Sequence, residues 1–262
     1  MDLNFFVNNF QLFLLILARI LAAVTVSPIF SSMLIPSRVR ALISFFVAII
    51  IFLPVKEHYS ANNFIMPQEF ANYLLLMANE IMVGLAIGFF IGIIFVVFQM
   101  AAQFFSMQIG FGISEVIDPL SQIQIPIIGQ LQALLGTLIF FAIDGHLQLF
   151  TALLQSFKHL PLVNMMNMTS DFFKAIKWAF IVMFTTALKI AFPVMGTLFL
   201  ATLSMGLLAK AAPQMNILMV GFPIYITVGF LTIIYLLPGF LIKSKDILGE
   251  AFVMLYRFFG AG

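Results

Sequence analysis

The stretch Phe70–Ser106, FANYLLLMANEIMVGLAIGFFIGIIFVVFQMAAQFFS, decides the fold. Its one charge is Glu80, and no further Asp, Glu, Lys or Arg occurs until Glu115. The apolar residues run continuously, without the polar–apolar alternation of a membrane barrel strand, so the stretch reads as helix. Its 37 residues would make a straight helix of about 55 Å, well beyond the roughly 30 Å of a bilayer core.

The rest of the chain has the same character. Charge-free gaps also separate Pro119 from Ile143 and Lys210 from Lys243. Across 262 residues, 63% are hydrophobic and 8% are charged, against about 25% charged in soluble domains. So few charges cannot cover a soluble surface. A soluble enzyme, a nucleic-acid binder and a disordered protein are therefore excluded. A net charge of +2 offers no polyelectrolyte partner. There is no cysteine, which excludes disulfide frameworks, thiol nucleophiles and Cys-based metal sites. Three histidines without cysteine make no metal site, and no cofactor fingerprint is present. Met1-Asp2-Leu3-Asn4 has no basic n-region, so the first apolar run is expected to be retained.

Five further runs accompany the first. They are Leu3–Phe30, interrupted by Arg19; Ala41–Leu53, closed by Pro54; Ile123–Phe157, interrupted by Asp144-Gly145-His146; Phe172–Ala209, containing Pro193; and Ile217–Ile242. The 13 residues of Ala41–Leu53 cover only about 20 Å, so this run is expected to pair in a hairpin rather than span cleanly. The tail Lys243–Gly262 carries charges beside an apolar stripe and is expected at an interface. The fold class is all-α: an integral membrane protein of helical hairpins, with about six long apolar helices, some kinked or not cleanly spanning. With six spans, Arg38, Arg40 and Lys210 fall on one side. Lys56, Lys158, Lys174, Lys177, Lys243, Lys245 and Arg257 fall on the other, which favours cytoplasmic termini.

Polar residues inside apolar runs are costly and therefore informative. Here they are Arg19, Glu80, Asp144, His146 and Lys189. They suit either an ion relay or structural pairing, with Arg19 or Lys189 against Glu80 or Asp144. Gly84, Gly88 and Gly92 form two overlapping GxxxG steps, a smooth stripe for close packing against a helix of this chain or another. Gly110-Phe-Gly-Ile-Ser-Glu-Val-Ile-Asp-Pro119 breaks helicity and carries Glu115 and Asp118. It reads as a solvated loop or as a loop lining a cavity. Lys210-Ala-Ala-Pro-Gln-Met-Asn216 is a tight polar turn between two apolar helices, with Gly221-Phe-Pro223 shortly after.

Several of these residues carry a family resemblance. Lys189-Ile-Ala-Phe-Pro-Val-Met195, Gly206-Leu-Leu-Ala-Lys-Ala-Ala-Pro-Gln-Met-Asn-Ile217 and Val220-Gly-Phe-Pro-Ile224 resemble the signature region of the FliR/SctT family of type III export-gate subunits. Arg19 with Pro28-Ile-Phe30 and Ile35-Pro36, the segment Gly110–Pro119, and Asp144-Gly145-His146 agree with it. Two positions depart from the family pattern. Lys210 stands where Arg is usual, which loses a bidentate fork, and Tyr225 stands where Lys often follows GFP-x.

The resemblance implies a non-enzymatic subunit of a conduit for unfolded flagellar proteins in the inner (cell) membrane, within the flagellar basal body. It implies FliP-type and FliQ-type subunits and an FlhB-type switch protein as partners, unfolded export substrates in transit, no cofactor and no nucleic acid. Residues 1–180 would be FliP-like, 181–243 a FliQ-like hairpin and 244–262 a short interfacial tail. Gly110, Phe111, Gly112, Ile113, Ser114, Glu115, Asp118 and Pro119 would belong to a lumenal plug loop. Lys210, Pro213, Gln214, Asn216, Gly221 and Pro223 would form the hairpin tip near the cytoplasmic entrance. The competing readings are an equivalent virulence injectisome subunit, a small-solute transporter and a structural membrane scaffold. A transporter would need convergent midplane polar groups and commonly an internal repeat, and the sequence has no clear repeat.

Overall fold

In the computed structural model, the described residues are 3–31, 35–61, 66–67, 69–110, 127–159 and 169–259. Among them the secondary structure is helical, with seven helices and no strand. We label them α1 (Leu3–Val26), α2 (Ser37–Ala61), α3 (Phe70–Ile109), α4 (Ile127–Ala142), α5 (Gly145–His159), α6 (Thr169–Ala211) and α7 (Ile217–Phe259). Five of them, α1, α2, α3, α6 and α7, are long and apolar enough to cross a membrane. A sixth span results if α4 and α5 count as one broken crossing.

Two helices run far past the ends of the apolar runs that announced them. The 13-residue run does not end at Pro54: α2 is 25 residues long and contains that proline. Proline removes a single backbone donor, and the flanking turns carry the helix on to Ala61. At about 37 Å, α2 is long enough to cross, so its shortness was a property of the apolar run and not of the helix. Likewise, α7 continues past Ile242 through Lys243 and Lys245 to Phe259. Ser244, Ile247, Leu248, Ala251, Phe252 and Leu255 are buried along this extension. Their spacing follows one helical face, which explains why the helix persists after hydropathy falls.

The break between α4 and α5 falls at Ile143-Asp144. Asp144 adopts φ 55°, a left-handed conformation that Asp tolerates better than branched residues. Its carbonyl accepts from the amides of Leu147 (2.9 Å) and Gln148 (3.1 Å), starting α5 directly after the break.

The chain divides into two compact units. The first comprises residues 1–94, 144–179 and 248–262. Its core is set by α1, where Leu12, Leu15, Ile16, Arg19, Ile20 and Ala23 are buried at helical spacing. Phe13 meets Phe45 and Phe52 of α2 edge-on, at 5.7 and 6.0 Å between centroids. Phe90 of α3 stacks on Trp178 of α6 at 6.0 Å. The second unit comprises residues 95–143 and 180–247. Ala102, Phe105 and Ile109 of α3, Ile128 of α4, and Ala191, Val194 and Leu198 of α6 form its buried cluster. Phe98 packs edge-on to Phe240 of α7 at 5.7 Å.

Candidate functional site: a buried ion pair and a hairpin tip

The first unit buries a charge pair at its centre. Arg19 of α1 and Glu80 of α3 are each only 1% exposed. Arg19 donates from Nε to Glu80 Oε2 at 2.5 Å and from Nη2 to Oε1 at 2.8 Å. This is the two-pronged arrangement that the planar guanidinium favours. Arg19 Nη1 also donates to Ser156 Oγ of α5 at 2.9 Å. The Ser156 hydroxyl in turn donates to the Leu153 carbonyl at 2.7 Å. The guanidinium carbon lies 3.8 Å from the centre of the Phe157 ring, close enough for a cation–π contact. Tyr59 of α2 donates to the Phe157 carbonyl at 3.1 Å. Four helices thus meet around one arginine.

The glycine stripe explains how an arginine fits at a helix–helix contact. Gly84 lies one turn beyond Glu80, and a Cβ there would overlap the Arg19 carbonyl oxygen and come within 2.9 Å of Ala22 Cβ. A Cβ on Gly88 would lie 2.6 Å from the Ala23 carbonyl oxygen. A Cβ on Gly92 would lie 4.0 Å from Pro28 Cδ, an ordinary contact. The helix lying on Gly84 and Gly88 is therefore α1 of the same chain. Only a Cβ-free surface brings the α1 backbone this close to α3.

The other polar residues of the apolar runs are not brought to this cluster. Asp144 is exposed at the α4–α5 break, and His146 is half-buried on α5. Lys189 is exposed on α6 and lines a groove of the second unit. Sequence reading singled out neither Ser156 nor Phe157. A serine and a phenylalanine in an apolar run carry no signal until tertiary packing sets them beside Arg19. Among the described residues, no group of three metal-ligating side chains is placed to hold an ion.

In the second unit, α6 ends in the predicted tight turn. The Ala212 amide donates to the Leu208 carbonyl (2.8 Å), and the Met215 amide to the Ala212 carbonyl (3.1 Å). Pro213 then stops the helix. Asn216 caps α7: its Oδ1 accepts from the Met219 amide at 3.3 Å, and its carbonyl accepts from the Val220 amide at 3.2 Å. Lys210, Pro213, Gln214 and Asn216 are exposed on this turn. Gly221 is buried and Pro223 exposed on the first turns of α7. Pro223 remains inside the helix, and its carbonyl accepts from Thr227 Oγ1 at 2.7 Å.

Of the segment 110–119, Gly110 is described. It closes α3 with φ 106°, its amide donating to the Met107 carbonyl at 3.2 Å. That φ suits glycine alone, and a Cβ would lie 2.9 Å from Phe222 Cδ1. Phe111, Gly112, Ile113, Ser114, Glu115, Asp118 and Pro119 lie outside the described residues.

Residues 10–251 match the family described as "Bacterial export proteins, family 1". The chain is 31% identical over 250 residues to the flagellar biosynthetic protein FliR of Borreliella burgdorferi, covering 95% of this chain and 90% of that protein. It is 29% identical over 247 residues to the protein of the same name from Bacillus subtilis, covering 94% and 93%. It is also 29% identical over 239 residues to that of Escherichia coli, covering 91% and 89%.

Proposed function

Because the chain belongs to the bacterial export proteins, family 1, with FliR among its close relatives in sequence, we infer that it is a subunit of the flagellar protein-export apparatus in the bacterial inner (cell) membrane. The observation that carries this is the family match over residues 10–251, joined to helices that can cross a membrane. The relatives named above are flagellar, which favours the flagellar apparatus over a virulence injectisome.

In our reading the subunit performs no catalysis. It is a wall component of a conduit, assembled beside FliP-type and FliQ-type subunits and contacted by an FlhB-type switch protein, through which unfolded flagellar proteins pass. The partition into a FliP-like part at 1–180 and a FliQ-like hairpin at 181–243 belongs to this proposal. So does a plug function for residues 110–119. Two features support the conduit reading. First, Gly110 ends α3 in a conformation that side-chain-bearing residues rarely adopt, so the long helix stops at a defined point. Second, large apolar residues on α6 and α7 are exposed, among them Phe192, Phe199, Leu207, Leu231 and Ile234. That surface suits burial against neighbouring subunits or lipid.

The test is deletion of residues 111–118 in the assembled apparatus. A plug predicts ion leakage across the membrane together with altered secretion. Unchanged conductance and unchanged secretion would sink the plug role. Purification in mild detergent tests the assembly: several copies of two small hydrophobic partners should accompany the chain. A stable solitary chain would count against the gate.

A further inference from the structure

Within the second unit, the end of α3 is held on α7 by two reciprocal contacts. Ile109, the last residue of α3, is fully buried. It faces Gly229 of α7, where an added Cβ would lie 2.7 Å from Ile109 Cγ1 and 2.9 Å from its Cδ1. The next residue, Gly110, is covered in the opposite sense. A Cβ added there would lie 2.9 Å from Phe222 Cδ1 and 3.1 Å from its Cε1. So α3 puts a side chain into a notch of α7, and α7 puts a ring over a notch at the end of α3. Phe222 and Gly229 stand at i and i+7, on one face of α7. Further back on α3, the Phe98 ring lies over Gly136 of α4, where a Cβ would lie 2.5 Å from both Cδ2 and Cε2.

This geometry resists two motions. Sliding of α3 along α7 would draw Ile109 out of the Gly229 notch and onto side chains such as Ile226 or Ile233, which pack against the same cluster. Ile109 is β-branched and has little rotamer freedom with which to yield. Rotation of α3 about its own axis would carry Gly110 out from under Phe222. The burial of Ile109 with Phe105, Val194 and Leu198 adds apolar area that either motion would expose.

We propose that this joint is a rigid anchor of the subunit: the end of α3 and the N-terminal part of α7 stay locked together throughout transport, with Phe222 and Gly229 as the positioning residues. The positive φ of Gly110 stops the long helix at this point, and α7 holds the stopped end. Whatever else moves as a chain is conducted, the polypeptide beyond Gly110 starts from a fixed post. The inference rests on the conduit reading of the subunit and not on a plug function for residues 111–118.

The chain has no cysteine, so one engineered pair reports on the joint. Ile109→Cys/Gly229→Cys is introduced into the full chain in the assembled apparatus. Ile109 Cγ1 is one bond from its Cβ and 2.7 Å from the Cβ added at position 229, which puts the two cysteines within disulfide reach. Mild oxidation of cells with copper phenanthroline should link nearly all of the chain. Flagellar secretion should then continue at the level of the reduced double variant. Gly229→Leu should lower secretion severalfold. Adding Ile109→Ala to it should restore secretion, because the notch and the side chain have exchanged places. Failure of the disulfide to form overturns the proposal. So does a disulfide that stops secretion until reductant is added, since the joint must then open. Gly229→Leu secreting as the wild type does would overturn it too. A strain lacking the chain that still secretes would instead sink the conduit reading, whereas disulfide yield decides the joint without reference to secretion.

Discussion

The two units are closed by different chemistry. In residues 1–94, 144–179 and 248–262, polar side chains reach between helices. Arg19 holds Glu80 and Ser156, Tyr59 holds the Phe157 carbonyl, Tyr73 holds the Gln11 carbonyl, and Tyr256 holds the Gln148 carbonyl. In residues 95–143 and 180–247, aromatic and aliphatic packing is prominent, and a side-chain hydrogen bond joins Thr197 Oγ1 of α6 to Thr232 Oγ1 of α7 at 3.2 Å. The difference matters because apolar contacts tolerate sliding and repacking, whereas a two-pronged ion pair fixes rotation and register. The helices also differ in exposure. In the most apolar stretch of each span, 61% of α3 is buried but only 11% of α7. One helix is a core element of this chain, and the other presents its surface to something else.

Removing one charge should have the largest effect. Glu80→Ala leaves Arg19 buried and uncompensated, at a cost of about 3–5 kcal/mol. Detergent-titrated unfolding of the assembled protein should show this as loss of the first unit. Arg19→Met/Glu80→Leu should recover much of that loss, since a well-packed apolar pair avoids desolvation. If the double variant were as unstable as the single one, the cluster would be needed for more than charge balance.

Gly84→Val comes next. Its side chain would push against the Arg19 carbonyl, and overpacking of this kind costs about 1–3 kcal/mol. Because that carbonyl is backbone, α1 itself must shift. Distance measurements between spin labels on α1 and α3 should report the displacement. Unchanged separation would mean that the stripe is not the limiting contact.

The second unit should respond weakly to polar substitution. Thr232→Val removes the Thr197 contact, and interhelix hydrogen bonds in membranes average about 0.6 kcal/mol. A loss approaching that of Glu80→Ala would erase the contrast between the units.

Much of the architecture was legible because hydropathy acts locally. The long apolar runs became helices, and Asn216 and Pro213 announced the turn between α6 and α7 by ordinary cap and stop chemistry. Pro54 misled because a proline penalises one turn without forbidding a helix that packing supports: Ala48, Ile51, Val55 and Tyr59 are buried on both sides of it. Of the polar residues in apolar runs, the sequence exposed the candidates but not the pairing. Arg19 and Glu80 lie 61 positions apart, and no local rule selects Glu80 over Asp144. Lys189 looked equally buried in sequence and is exposed in the fold.

By itself, then, the sequence determined the apolar surroundings, the helical class, the interruption at Asp144 and the turn between α6 and α7. Apolar content, caps and Gly or Pro positions act within a few residues. The tertiary structure decided which helix lies on Gly84 and Gly88, which acid meets Arg19, and that Lys189 shares a groove with Lys243. Those outcomes depend on how helices far apart in sequence rotate against one another. A hydropathy pattern is the same for every rotation that keeps apolar side chains in apolar surroundings. Close backbone approach and the high cost of an unpaired buried charge select one of them.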